Sequence, residues 1–564
     1  MAHHRRVYLM LAGFILVAAL TGGRLVMLQL GEHADLALAA SAQNSIEVSL
    51  EEYPRGRILD RNGQSLTGTY STDRIVVVPH YIAEPELMAR TLARILEVDA
   101  ADVAPRLEVP GVLPYPLSPE QSNLIRGLRS RGLLVVPVML RYGDQALAPH
   151  ITGHLGKIYS DQELHELRTA GGRGYRLDDW VGKTGVERLY ERYLHGERPT
   201  ALVRTYRDAT GRPLPGLDMV VEQRDDVRAD IILTLDAEIQ RAVEEVLAAN
   251  PQRGAVVVSD VKTGDIVAAA SYPNYAASDP VASTGGEGAE AEIFFDRTLA
   301  LYQPGSIFKI VVAAAALEAA VADLETTFTC GGKKDPLITC WHTDGHADIN
   351  LARAFAESCN PFFAKLGLAV GAQTLAEYAV SLGLSDQTII GYQYERDMRQ
   401  DFDLIKEPYN LVNASLGQGP VLLSPVQVNA LVAAIANDGV YHTPRLVSRV
   451  QRSSGEVLLE FPFAEPEPVM KEETAQLMRR LMEMVTQDGQ GVLAYFNDGG
   501  SAGKTGSAET GVTGQINAWF AGYFPLDSPR YAITILVEEG VSGGVSAAPL
   551  FREIASQINA LQLQ

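Results

Sequence analysis

The first apolar positions of the chain form a block rather than a periodic pattern. An apolar run over residues 7–23 is interrupted by Arg24 and continued by Leu25-Val-Met-Leu28 and Leu30, 24 residues in all. A bilayer core is crossed by roughly 20 helical residues, and an arginine near one end can extend its guanidinium to the headgroups. Residues 7–30 are therefore expected to span a membrane. Arg5 and Arg6 precede the block. By the positive-inside rule they hold residues 1–6 on the cytoplasmic side and send the rest of the chain outward. A cleaved signal peptide begins in the same way, but Ala40-Ser-Ala42, a small-x-small site, lies well past the run. A retained single-pass anchor is the expectation.

Beyond residue 44 the patterning becomes short-ranged. Residues 44–226 mix strand-like runs with Arg, Glu and frequent Pro. Ile75-Val-Val-Val78 predicts a strand that Pro79 ends, and the spacing over 185–194 predicts an amphipathic helix closed by Gly196. This stretch reads as a stalk of mixed α/β character. From residue 227 the texture changes. Asp230-Ile-Ile-Leu-Thr-Leu235 predicts a strand, 238–249 a helix, and 254–258 with 266–270 a hairpin around Lys262-Thr-Gly-Asp265. A Gly/Ser/Glu-rich linker occupies 276–290. Further helices are predicted over 306–320, after the cap and first-turn pair Ser424-Pro425, and along the stripe Leu477, Met478, Leu481, Met482, Val485. Two last apolar runs, 519–524 and 531–537, read as strands. The domain over 227–564 is thus expected to be α+β, an antiparallel sheet with helices packed on it.

Composition adds restrictions. At 564 residues, with 46% hydrophobic and 21% charged positions, the chain has the make-up of a multidomain globular protein, not a disordered or fibrous one. Its 48 basic against 69 acidic side chains leave a net charge of −21, and no basic cluster longer than a few residues offsets it. No nucleic-acid partner is expected. Three cysteines are too few for a disulfide framework, so packed cores must supply the stability.

The sharpest local feature is Gln303-Pro-Gly-Ser-Ile-Phe-Lys-Ile310. Pro304-Gly305 makes a turn that starts a helix, and Lys309 follows Ser306 by about one helical turn on the same face. A serine hydroxyl becomes a useful nucleophile only when a base takes its proton. A lysine packed among Phe308, Ile310 and Val311 would lose enough basicity through desolvation to be that base. The helix N-terminus would favour a developing oxyanion near Ser306. Alone the pattern is weak, because Ser259-Asp-Val-Lys262 repeats it inside the predicted hairpin.

Two further elements supply context. Ser358-Cys-Asn360 starts 52 residues after Ser306 and offers a hydroxyl for proton relay and an amide for a peptide backbone. Lys504-Thr-Gly506 starts 146 residues after Ser358. It offers a cation and a hydroxyl for a carboxylate, with Gly506 leaving room for a substrate against the backbone. Lys-Thr-Gly also occurs at Lys183 and Lys262, but only the third copy follows the other two elements and precedes two sheet-forming runs.

The ordered set Ser306-x-x-Lys309, Ser358-x-Asn360, Lys504-Thr-Gly506 resembles the penicillin-binding protein and serine β-lactamase superfamily. Arg55-Gly-Arg-Ile-Leu-Asp-Arg-Asn-Gly63 resembles the N-terminal signature of class B penicillin-binding proteins. Gly254-Ala-Val-Val-Val, Thr263-Gly-Asp-Ile266, Ser271-Tyr-Pro-Asn274 and Gly417-Gln-Gly419 with Ser424-Pro-Val-Gln427 resemble their transpeptidase domain. The resemblance implies a peptidoglycan D,D-transpeptidase of the penicillin-binding protein 2 or cell-division type, on a serine β-lactamase-like fold and with no cofactor. Under it, Ser306 would attack the penultimate D-alanine of a stem peptide and Lys309 would take its proton. Ser358 would pass a proton to the leaving D-alanine while Asn360 holds the substrate amide. Lys504 and Thr505 would bind the terminal carboxylate, and the backbone N–H groups of Ser306 and Ser507 would form the oxyanion hole. An amine of a second stem peptide would resolve the acyl-enzyme, and β-lactams would acylate the same serine. The resemblance further implies a membrane glycan polymerase, within a cell-wall synthesis complex, as partner. A β-lactamase or β-lactam sensor on the same fold, and a catalytically silent scaffold for a polymerase, are the rival readings.

Cys330 and Cys340 bracket a short loop before Trp341-His-Thr-Asp-Gly-His346. Outside the membrane a disulfide between them is the natural expectation. A zinc site using Cys340, His342 or His346 is the alternative, although the spacing matches no standard ligand pattern. Cys359, inside the Ser-x-Asn motif, has no expected catalytic role.

Overall fold

The computed structural model describes residues 2–28, 45–170, 174–196, 198–208, 219–224, 228–284, 290–393 and 399–562. The N-terminal helix Ala2–Val26 contains an apolar span, Val7–Val26, with mean hydropathy 2.0 and the length to cross a membrane. Its apolar side chains, Phe14 and Leu20 among them, are exposed, as a lipid-facing helix requires. Leu30, Ala40-Ser-Ala42 and residues 285–289 of the 276–290 linker lie outside the described residues.

The compact units do not follow a single break at residue 226. One comprises Met1–Pro54, Tyr70–Leu140 and Arg198–Asp226; the other comprises Arg55–Thr69, Arg141–Glu197 and Val227–Gln564. Local pairing is the reason. Ile58–Leu59 lies parallel to Ala229–Leu233, and Arg55 is buried against Glu187 and Glu191. Two stretches of the expected stalk therefore fold with the second unit. The helix expected over 185–194 is also divided. It becomes Gly185–Leu189 and Glu191–Leu194, broken at Tyr190, whose hydroxyl donates to the Gly391 carbonyl at 2.6 Å.

In the first unit Tyr70–Val77 pairs antiparallel with Leu133–Leu140, and Ser45–Ser49 pairs with Ala201–Tyr206. Ile75 and Val77 pack with Leu92 and Leu96 of the helix Pro85–Leu96 in a small core.

The second unit is built on a five-stranded antiparallel sheet. Its strands are β1 (Gly254–Asp260), β2 (Ile266–Tyr272), β3 (Ala502–Glu509), β4 (Ile516–Phe524) and β5 (Tyr531–Val537), in the order β2-β1-β5-β4-β3. The helices that matter to the site are α1 (Ala237–Ala249), α2 (Lys309–Glu318), α3 (Leu351–Ala356), α4 (Asn360–Val370), α5 (Pro425–Ala436), α6 (Glu472–Gln487) and α7 (Ala548–Gln562). Strand residues alternate between two cores, as the two-residue period demands. Val256, Val258, Phe520 and Ile535 pack with α1 and α7. Ala255, Trp519, Ala521 and Leu536 pack on the opposite side with α2–α6. The result is three layers, helix–sheet–helix, the α+β arrangement expected from the pattern.

Helix α2 is buried from Lys309 to Ala316, which suits a helix that is apolar all round. Ser424 caps α5 in a reciprocal capping box with Gln427. On α6, Met478, Leu481, Met482 and Val485 are fully buried and form the packed face, while Leu477, read as part of the same stripe, is half-buried at its edge.

Candidate active site

Ser306 does not begin an α-helix, contrary to the helix expected over 306–320. It sits in a 3-10 turn, Gly305–Phe308, from which α2 continues at Lys309. Gly305 takes φ +54, and its amide donates to the Gly417 carbonyl at 3.0 Å, which sets the tight turn. In 3-10 geometry residues three apart eclipse, so Ser306 and Lys309 share one edge. The turn lies against the edge strand β3. A Cβ on Gly506 would meet the Pro304 carbonyl oxygen at 2.7 Å, so this glycine allows the turn to pack against the strand.

Beneath the surface the three motifs meet. The Lys309 amine is fully buried; it donates to the Ser358 carbonyl at 2.8 Å, to Ser358 Oγ at 3.2 Å and to Asn360 Oδ1 at 2.7 Å. Lys504, equally buried, reaches the same Ser358 Oγ at 3.1 Å and its neighbour's Thr505 carbonyl at 3.1 Å. One hydroxyl thus lies between two amines. Among the described residues neither amine has a carboxylate partner. Burial pushes Lys309 down to about 7, against a raising influence of the neighbouring Cys359 and Cys340. Burial, reinforced by the Lys309 charge, pushes Lys504 well below an ordinary lysine. Ser358 holds φ +55, a left-handed conformation that a non-glycine residue adopts at some cost. The turn between α3 and α4 forces it, and thereby aims the hydroxyl inward.

Above these groups opens a cleft of about 630 Å³. Ser306, Ser358, Asn360, Thr505 and Ser507 line it, together with Thr339, Trp341, Gln418 and Glu509. The competing copies lie elsewhere and have structural partners. Ser259 bonds Asn429, Lys262 bonds Asn437, and Lys183 pairs with Glu163.

The cysteines depart from expectation. Cys330, Cys340 and Cys359 are all free, so no disulfide joins Cys330 to Cys340. Instead the three sulfurs and one imidazole nitrogen of His346 lie within 4.8 Å of one another. His342 is not part of this group. The Cys359 thiol, bonding toward Cys340, holds Cys340 down at about 5 and is itself pushed up. All three cysteines of the chain fall within residues 330–359. That concentration was the signal for Cys330 and Cys359, which the spacing of Cys340, His342 and His346 did not supply.

The model of the penicillin-binding protein transpeptidase domain matches residues 254–556, and that of the penicillin-binding protein dimerisation domain matches residues 51–223. The chain belongs to the penicillin-binding protein transpeptidase family. Among relatives of this family, stage V sporulation protein D of Bacillus subtilis is 27% identical over 92% of this chain and 80% of its own length. The peptidoglycan D,D-transpeptidase MrdA of Escherichia coli is 25% identical over 98% of this chain and 94% of its own. A chain from a solved structure titled for the coordination of polymerization and crosslinking by a peptidoglycan synthase complex shares the fold. It has a TM-score of 0.72 at 23% identity, over 98% of both chains.

Proposed function

We propose that this chain is a serine-type D,D-transpeptidase that crosslinks peptidoglycan stem peptides. The observation that carries the reading is the Ser358 hydroxyl held between the buried amines of Lys309 and Lys504, under a cleft that Ser306 lines. With Lys309 held near 7, a substantial share of it is the free amine at neutral pH and accepts the Ser306 proton. The Ser306 oxygen then adds to the penultimate D-alanine carbonyl carbon, and the negative charge that passes to the carbonyl oxygen is met by the Ser306 and Ser507 N–H groups. Collapse expels the terminal D-alanine, whose amine takes a proton relayed through Ser358. Thr505, with the Lys504 charge behind it, binds the terminal carboxylate, and Asn360 orients the peptide. An amine from a second stem peptide attacks the acyl-enzyme, restores Ser306 and completes the crosslink. No cofactor enters these steps.

The apolar span Val7–Val26 anchors the chain as a single-pass membrane protein. Arg5 and Arg6 favour a cytoplasmic N-terminus, which leaves the catalytic unit outside, where the cell wall is built. The likeness to a chain from a synthase complex supports a membrane glycan polymerase as partner.

The test is the intact mass of the detergent-purified chain over time after penicillin is added. A long-lived adduct that maps to Ser306 and is absent from Ser306→Ala is the expected result. A transient adduct with steady drug hydrolysis would move the assignment to a β-lactamase, and no adduct in folded protein would move it to a scaffold.

A further inference from the structure

One charged side chain lines the catalytic cleft and has no part in the steps above. Among the described residues that line it, Glu509 alone carries a charge; the rest are neutral polar, apolar or glycine residues. Glu509 is exposed, and among the described residues no lysine or arginine pairs with it. We propose that Glu509 selects the donor strand of the crosslink, its carboxylate holding the side-chain ammonium that the donor stem peptide itself carries. The proposal rests on the transpeptidase reading and adds to it a choice. Stem peptides with a free amine are taken as donors ahead of those whose amine is already capped.

The placement follows from the strand. β3 is an edge strand of the five-stranded sheet, which leaves one side open to an extended peptide. Side chains on a strand alternate, so Thr505, Ser507 and Glu509 share one face, and all three line the cleft. Ala508, between the last two, is fully buried. Glu509 pairs with Ile516 at the end of the ladder, and the Thr510 amide closes the following turn on the Gln515 carbonyl at 3.3 Å. The carboxylate therefore stands on a fixed stretch of backbone, as a group that selects between substrates must.

The row has a direction. In the steps above Thr505 takes the terminal carboxylate, and the Ser507 N–H meets the oxygen of the reacting carbonyl. A donor laid along β3 therefore continues past Ser507 toward Glu509 with the residue that precedes the penultimate D-alanine. Glu509 stands two residues on from Ser507, roughly 6.8 Å along the strand. The preceding donor residue begins about 3.8 Å beyond the penultimate one, and an arm of several carbons, at about 1.5 Å per bond, spans the remainder. In stem peptides that residue is a diamino acid, the one whose amine closes the crosslink when the peptide serves as acceptor. Donor and acceptor are units of one polymer, so the donor brings an amine of its own. The acceptor's amine is not the occupant. By microscopic reversibility it enters where the leaving amine departed, toward Thr505 and Ser358, on the other side of Ser507 from Glu509. An ammonium beside the Glu509 carboxylate stays protonated, and so does not attack the acyl-enzyme of its own strand.

The experiment uses the full-length chain in detergent and thioester donors, α-N-acetyl-L-lysyl-D-alanyl-D-thiolactate with the ε-amine free, dimethylated or acetylated. Ser306 attacks the thioester carbonyl, the thiolate leaves and water resolves the acyl-enzyme, so thiol release at low substrate concentration reports kcat/KM for acylation. The free and dimethylated donors, both charged, should react about three- to tenfold faster than the acetylated one, the range of an ion pair in a cleft that water reaches. High salt should shrink that advantage. Glu509→Asp should keep part of it, Glu509→Gln should abolish it, and Glu509→Lys should invert it. Melting temperatures show which variants fold; if one does not, the three donors on the unaltered chain at low and high salt still decide. Equal rates for the free and acetylated donors on the unaltered chain would overturn the proposal, as would a preference that survives Glu509→Gln. A preference for the free amine that the dimethylated donor does not share would mean that size and not charge is read, and would overturn it as well. Any of these results beside labelled penicillin bound at Ser306 leaves the transpeptidase reading standing. A folded chain that neither penicillin nor any thioester acylates would sink that reading, and the proposal with it.

Discussion

Two clusters of buried ionisable groups lie within the second unit, and they are assembled by opposite rules. Around Arg55 every charge has its complement. Arg55 meets Glu187 at 3.0 Å and Glu191 at 2.7 Å, and Arg141 meets Glu187 from the other side. Tyr142 and Tyr175 donate to the same carboxylates, and the Gly182 amide completes Glu191. Burial pushes Glu187 up, but Arg141 and Arg55 outweigh it and hold the carboxyl below its usual range. Under the cleft, by contrast, two lysines are buried with carbonyl, amide and hydroxyl oxygens and the faces of Phe363 and Phe355, but no carboxylate. They answer desolvation by releasing protons more readily. Complementary charges stay charged and hold the fold; a buried lysine without a carboxylate, as Lys309 is, becomes an acid–base group near neutral pH.

The comparison breaks most sharply at Lys309 itself. Lys309→Met removes the base and should slow acylation by about 10²–10⁴-fold, read from the rate of labelled-penicillin incorporation. Denaturant unfolding should report a loss of only about 1–3 kcal/mol, because no countercharge is stranded and only the acceptors at Ser358 and Asn360 lose their donor. A collapse of the melting temperature would mean that the lysine is structural. The reverse pattern is expected at Glu187→Gln, which takes the Glu187 charge from both buried guanidinium groups and leaves Arg55 its ion pair with Glu191. Denaturant unfolding should report a loss of about 3–5 kcal/mol, while the folded fraction still acylates at the normal rate.

The two clusters also differed in how legible they were. The one under the cleft is written in short motifs whose order along the chain survives folding, so the sequence alone groups Ser306, Lys309, Ser358 and Lys504, and the fold brings their elements together. Even there the local backbone was misread: Pro304, Gly305 at φ +54 and the Gly417 contact make a 3-10 turn where apolar spacing suggested a regular helix. The Arg55 cluster joins residues 132 and 136 positions apart, and nothing in their spacing announces it. It also explains why Arg55–Thr69 leaves the stalk, where the first unit was expected to keep it. The convergence of Cys330, Cys340, His346 and Cys359 is likewise a product of the hairpin fold. The sheet strands and α5 were read well because alternation and an N-cap are local signals.

Titration sharpens the same contrast. Lys309 works as a base only when neutral, and its value near 7 places the transition within the physiological range. Acylation should therefore rise with pH, by about tenfold per unit below 7, and level off about a unit above it. Folding stability carried by Glu187 should stay flat over that window. Its folded-state value is depressed, so its contribution is fully present above the ordinary carboxylate range and is lost only as pH falls toward the depressed value. A rate profile that is flat from pH 6 to 8, about one unit either side of 7, would remove Lys309 as the base.

The smallest effect tests redundancy inside the complemented cluster. Tyr175 donates to Glu191 at 3.0 Å, but Glu191 also receives Arg55 and the Gly182 amide. Tyr175→Phe removes one donor and leaves no charge uncompensated, so the loss should be only about 1–2 kcal/mol, that of a hydrogen bond to a charged acceptor. Denaturant titration of the variant beside Glu187→Gln separates the two costs. If the phenylalanine variant loses as much as the glutamine one, the cluster behaves as an all-or-none network in which each donor is indispensable. A smaller loss means that pairing of charge, rather than the number of hydrogen bonds, keeps these residues buried.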